Sequence, residues 1–249
     1  MNQQQYRQFL DDPRTLLNGP GNVRQIKLTG LAATDNAVSR AVMQNGVMSL
    51  RYRFSAARVT PVWLRYDATP YPATSALWVS GGPPPLPPAV IQRDRAYYLQ
   101  WGVDQAYAIE LGADAQLFFT AELTGCGILV FSAPQKLIVV HHNVQVPNVP
   151  QTFFQRLFES NQAHAQRSAA NAVDVRAQTL YNLAQDIVAT TPGITRGTQM
   201  SVAQYVGTSR VFGIKRGGQW RLFVNRPVGG NYQTELLYGY NNEDKRGTS

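Results

Sequence analysis

The chain has one cysteine, Cys126, in 249 residues, so no disulfide can close within it and a cysteine-rich zinc site lacks its ligands. Two of its three histidines are adjacent, but Cys126, His141 and His142 lack a fourth metal ligand at a recognised spacing, and no metal is expected. Charge is scarce: Asp, Glu, Lys and Arg make up 15% of the residues, which leaves the surface to Gln, Asn, Ser and Thr. No apolar run approaches the ~20 residues of a membrane helix, so no membrane span is expected. Met1 to Arg14 lacks the basic, then apolar, then small order of a cleavable signal peptide, and none is expected. Gly81-Gly82 runs into prolines instead of a helix, so a phosphate-cradling loop is missing.

What is present suits one α/β domain over residues 1–249. Hydrophobic residues at 44% are enough for a substantial core. The 23 Lys and Arg against 15 Asp and Glu give a net charge of +8. These are mostly scattered arginines without a dense basic run, so nucleic acid is not the expected partner. Arg51, Arg53 and Arg58 suit either docking to an acidic surface or a plainly solvated strand face. A monomer is the default.

Apolar periodicity predicts a short amphipathic helix over Gln3 to Leu17, with Tyr6, Leu10 and Leu17 on its apolar side. Strands are predicted over Gln25 to Leu28, Val47 to Ser55, Val59 to Tyr66 and Ala76 to Ser80, followed by an extended proline loop over 81–88. More strands are predicted over Ala96 to Trp101, Tyr107 to Leu111, Ala115 to Leu123, Cys126 to Phe131 and Lys136 to Val144. Ile128 to Phe131 and Leu137 to Val140 are apolar on both faces, as in central strands of a sheet covered on both sides. The period then becomes helical, with Phe153, Phe154, Leu157 and Phe158 in one helix and Leu180, Leu183 and Ile187 in a second. A short helix near Val202 to Tyr205 precedes strands over Arg210 to Lys215, Trp220 to Asn225 and Thr234 to Tyr240. A frayed, flexible tail begins at about Asn241.

A lone cysteine is ordinarily a small buried hydrophobe. Cys126, however, opens one apolar strand and His141 nearly closes the next. If the hairpin is symmetric about a four-residue Ser132-Ala133-Pro134-Gln135 turn, the two residues lie directly opposite, with Cβ atoms about 5 Å apart. An imidazolium beside a thiol lowers the thiol pKa and yields the reactive thiolate. His142 points to the other face in that register and stays in reserve as the base. His164 lies on a polar helix turn. Gly125 permits close backbone approach, and the Thr124-Gly125 turn frees N–H groups for an oxyanion. Thr120 is an ordinary strand threonine by spacing, although a hydroxyl there can orient an imidazole.

The run Leu117-Phe118-Phe119-Thr120-Ala121-Glu122-Leu123-Thr124-Gly125-Cys126, with a histidine ending the next apolar strand, resembles the glutamine deamidase toxins. That family comprises the cytotoxic necrotizing factor catalytic domains and, more similar still, the Burkholderia lethal factor. Its Leu-Ser-Gly-Cys motif appears here with Thr124 in place of serine, and the family's Phe-Phe-Thr ahead of the cysteine is matched by Phe118-Phe119-Thr120. A second stretch, from Gly193 to Tyr205, is similar to a segment near the lethal factor's carboxyl end.

The resemblance implies a mixed β-sheet sandwich with flanking helices. It also implies Cys126 as nucleophile, His141 as base and Thr120 as the orienting residue. The activity implied is deamidation of a glutamine in a eukaryotic host protein of the Rho-type GTPase or translation-initiation helicase class. It is metal- and cofactor-free and performed by a bacterial toxin or effector that is secreted or translocated into the host cytoplasm. Two alternatives stay open: a cysteine peptidase or amidase using the same pair, and a non-catalytic basic binding module in which the pair is structural.

Overall fold

The computed structural model of the chain describes residues 3–19, 22–29, 37–39, 41–44, 47–50, 60–71, 92–100, 105–133, 136–143, 160–190, 193–200, 208–228 and 231–239. The strand expected over Ala76 to Ser80, the proline loop, the helix around Phe153 to Phe158, the short helix near Val202 to Tyr205 and the tail lie outside them. So do Arg51, Arg53 and Arg58.

Asp12-Pro13 decides how the chain begins. An aspartate caps a helix well, and a proline just after it needs no N–H partner. The single helix expected over Gln3 to Leu17 is therefore two, α1 (Gln3–Asp11) and α2 (Pro13–Leu17). The Asp12 carboxylate accepts the Arg14 backbone N–H at 3.0 Å. The break shifts the apolar face, which buries Tyr6 and Phe9 on α1 and Pro13, Leu16 and Leu17 on α2, while Leu10 is half-buried.

The strands are β1 (Asn18–Gly19), β2 (Asn22–Thr29), β3 (Ala37–Ser39), β4 (Ala41–Gln44), β5 (Val47–Leu50), β6 (Thr60–Tyr71), β7 (Gln92–Leu99), β8 (Gln105–Leu111), β9 (Leu117–Thr120), β10 (Gly127–Ala133) and β11 (Lys136–Asn143). A long helix, α3 (Asn161–Thr190), then precedes β12 (Thr195–Met200), β13 (Arg210–Arg216), β14 (Gln219–Val228) and β15 (Asn231–Tyr238). Eight strands form one sheet in the order β1-β2-β6-β7-β9-β13-β14-β15, and five form another, β12-β10-β11-β8-β3. β4 and β5 pair with each other. The larger sheet is mixed, because β7 and β9 run parallel while its other pairs are antiparallel. The fold is α/β.

Side-chain alternation sorts the core into layers. Leu99, Phe118, Val211 and Leu222 of the larger sheet meet Ile109, Ile128, Val130 and Val139 of the smaller one. On the larger sheet's outer side, Phe9 of α1 stacks on Phe212, and Phe212 on Phe223, with centroids 5.8 and 5.4 Å apart. On the smaller sheet's outer side, Leu183, Ala184 and Ile187 of α3 pack on Leu129, Phe131, Ile138 and Val140. The order is thus helices, sheet, sheet, helix. β10 and β11 are interior strands of the smaller sheet, as their two-faced apolarity requires. No helix among the described residues is long and apolar enough to cross a membrane.

The two terminal strands of the larger sheet are bridged by a side chain. Asn18 accepts the Thr234 N–H through Oδ1 and donates from Nδ2 to the Thr234 carbonyl, each at 2.7 Å. The carboxamide thus behaves as one more peptide unit on the open edge of β15, an edge that would otherwise template aggregation. Asn18→Ala is expected to cost about 1 kcal/mol, the net worth of such exposed bonds. Urea unfolding checks this: an unchanged midpoint would mean that the bridge contributes nothing.

Candidate active site

The β10–β11 hairpin is tighter than its sequence suggested. Pairing continues to Ala133 opposite Lys136, so two residues connect the strands instead of four. The register moves by two residues in consequence: His141 lies opposite Ile128, and His142 opposite Gly127. Cys126 is therefore not directly across from His141 but diagonal to it, just before the first paired residue.

A two-residue shift preserves the face, whereas a one-residue slip would invert it. Cys126 accordingly packs with Ile128, Val130, Leu137 and Val139 between the sheets, the face that His141 shares by alternation. His142 falls on the face of Ile138 and Val140, toward α3, and so away from Cys126. Thr120 ends β9 in the same inter-sheet layer, in alternation with Phe118. Cys126 and His141 thus come from one sheet and Thr120 from the other. Thr120 Oγ1 accepts the Val211 N–H at 3.2 Å, which leaves its own O–H to donate elsewhere.

Gly125 has a φ of 84°, a left-handed conformation that reverses the chain into Cys126 and that other residues adopt at a cost. Thr124 is exposed and Gly125 half-buried, so the motif passes from surface to core within three residues.

Electrostatics changes the expected chemistry. Cys126 is 2% exposed and His141 0%. Burial pushes His141 down to about 3, helped by the neighbouring His142 and opposed by the Gln100 backbone. The imidazole is therefore neutral at pH 7, and no resting imidazolium is present to draw out a thiolate. Among the described residues neither ring nitrogen has a hydrogen-bond partner, Cys126 Sγ included, while the Gln100 backbone lies close enough to oppose the shift. Gln100 follows Leu99, which lies beside Thr120 in the parallel pair. The ring of His141 thus sits near the strand end that carries Thr120.

His164 is half-buried on α3, with Nδ1 3.3 Å from the Arg167 guanidinium. Among the described residues, no group of three or more His, Cys, Asp or Glu side chains could hold a metal ion. Ser209 escaped notice in the sequence. It is fully buried, its Oγ has no partner among the described residues, and it alternates with Val211 into the inter-sheet layer. A serine at a strand start carries no local signal, and only its pairing with Leu123 reveals it. The second stretch that carries the resemblance lies beside the strand that follows Cys126. β12 pairs with β10, Met200 opposite Ile128 and Thr198 opposite Val130, while residues 201–205 lie outside the described ones.

No protein-family model matches the chain, and no curated protein matches it.

Proposed function

We propose that the protein is a cysteine-dependent glutamine deamidase acting on a host protein, a toxin or effector of the Cys-His-Thr type. The observation that supports the reading is that Cys126 packs in the inter-sheet layer toward which strand alternation also turns His141 and Thr120. In this reaction the neutral His141 imidazole takes the thiol proton as Sγ bonds to the carboxamide carbon, acting as a general base. N–H groups at Gly125 and Cys126 hold the oxyanion. The resulting imidazolium protonates the departing nitrogen, which leaves as ammonia, and a thioester remains. Water, deprotonated by the same imidazole, then adds to the thioester. Its collapse returns the proton to sulfur and yields glutamate. Thr120 orients the imidazole through its free O–H. An amine in place of water would give transglutamination.

The burial of both groups means that the surrounding chain must open for a glutamine side chain to enter. That same burial favours a second reading, in which the pair is structural and the protein is a non-catalytic basic binding module. Mass spectrometry of a eukaryotic lysate separates the two. Treatment with wild-type protein is expected to convert glutamine to glutamate at a small number of sites, and Cys126→Ser to convert none. Identical profiles would leave only the binding module, and cleaved chains would point to a peptidase.

A further inference from the structure

Three consecutive residues at the head of β13 grip the segment leading into the Thr124-Gly125-Cys126 turn. Leu123 donates its N–H to the Ser209 carbonyl at 2.8 Å, and Ser209 returns an N–H bond to the Leu123 carbonyl at 3.1 Å. Val211 donates to Thr120 Oγ1 at 3.2 Å. Between these two attachments, the Arg210 guanidinium pairs with the Glu122 carboxylate. The spacing is irregular. Phe119 lies opposite Phe212 and Leu123 opposite Ser209, so four steps along one segment meet three along the other and one residue bulges out. Bulges of this kind re-aim side chains and are common beside active sites.

Arg210 is the unusual member of the group. Its side chain is 2% exposed, whereas Glu122 is 46% exposed. Burial lowers the guanidinium to about 10, against the pull of Tyr232 and Tyr98, so it remains a cation at neutral pH. A buried cation needs a carboxylate held in place, and apolar residues would serve stability as well. The pair therefore fixes geometry: a buried cation anchors a carboxylate between Thr120 and Leu123.

We propose that Arg210 and Glu122 are positioning residues, whose ion pair holds residues 120–123, and with them Thr120 and the Cys126 turn, in the arrangement the reaction requires. The proposal rests on the reading of Cys126 as nucleophile, but the clamp has readouts of its own. Glu122→Gln removes the charge at an exposed site, and Glu122→Asp keeps the charge for comparison if the first variant is unstable. In Glu122→Gln, hydrogen exchange at the Leu123 and Ser209 amides and iodoacetamide alkylation of Cys126 are expected to quicken about tenfold, with β14 amides unchanged, as for local opening. The aspartate variant is expected to stay within about threefold of wild type on both measures. With a substrate in hand, Glu122→Gln is expected to lower kcat about tenfold at unchanged KM, the mark of lost positioning. Unchanged exchange and alkylation would overturn the proposal, and so would a uniform rise that includes β14. If the wild-type protein releases no ammonia, the deamidase reading fails, while exchange and alkylation still decide whether the clamp exists.

Discussion

Cys126→Ser is expected to lower ammonia release from the substrate by about 10⁴-fold or more, and His141→Ala added to it is expected to cost little further. Nucleophile and base act as one unit, because without sulfur the imidazole has no acidic proton to take, and without the imidazole a neutral thiol attacks poorly. The neutral state of His141 strengthens this coupling. Burial holds the ring near pKa 3, so thiolate must form during the attack instead of beforehand. Steady-state rates of the two single variants and the double variant provide the check. Losses that simply multiply would mean that the two residues do not share a step, and the mechanism would fall. Serine places a hydroxyl where sulfur packs with Ile128 and Val130, at about 1–3 kcal/mol for an unmatched polar group. The rate comparison is therefore accompanied by thermal unfolding and by Cys126→Ala.

The second large effect is on acid stability. His141 has its folded pKa depressed to about 3 from an ordinary 6.5. The unfolded chain therefore binds a proton between those values that the folded chain refuses. Stability from this source is complete above about pH 6.5 and is lost progressively as pH falls toward 3. The full loss amounts to roughly 5 kcal/mol, comparable with the whole stability of many domains. The native protein is thus expected to unfold in mild acid, where His141→Phe, which keeps an aromatic ring without a titrating nitrogen, resists. His142 lies next in the chain and adds to the depression of His141, so His142→Phe is expected to relieve the slope only in part. Urea unfolding at a series of pH values between 7 and 4 reads this directly. Equal slopes for wild type and His141→Phe would show that His141 is not the group responsible.

The individual strands were legible because their signal is local. Ile128 to Phe131 and Leu137 to Val140 are apolar on both faces, and only an interior strand buries both. Arg210 to Lys215 and Trp220 to Asn225 stand out equally, since a strand's alternation needs no distant partner to be visible. α3 was marked by Leu183 and Ile187 at helical spacing, and they are what it buries. β12 was missed. Thr195-Arg196-Gly197-Thr198-Gln199-Met200 is polar, and it becomes a strand by adding to the edge of β10. The split at Asp12-Pro13 lies in the cap chemistry, which the apolar period over Gln3 to Leu17 does not register.

Alternation along the chain settles one relation, that the consecutive His141 and His142 lie on opposite faces of their strand. Which of the two shares the face of Cys126 depends on the register, since an even displacement keeps the relation and an odd one exchanges it. Tertiary structure decided the rest: that the turn spans two residues, that Thr120 arrives from the opposite sheet, and that Ser209, Arg210 and Val211 grip the motif from about 90 residues away. It also decided the protonation state of His141. Proximity along the chain sets which atoms can share a face. How far those atoms are removed from water, and hence which of them carry charge, depends on everything packed around them.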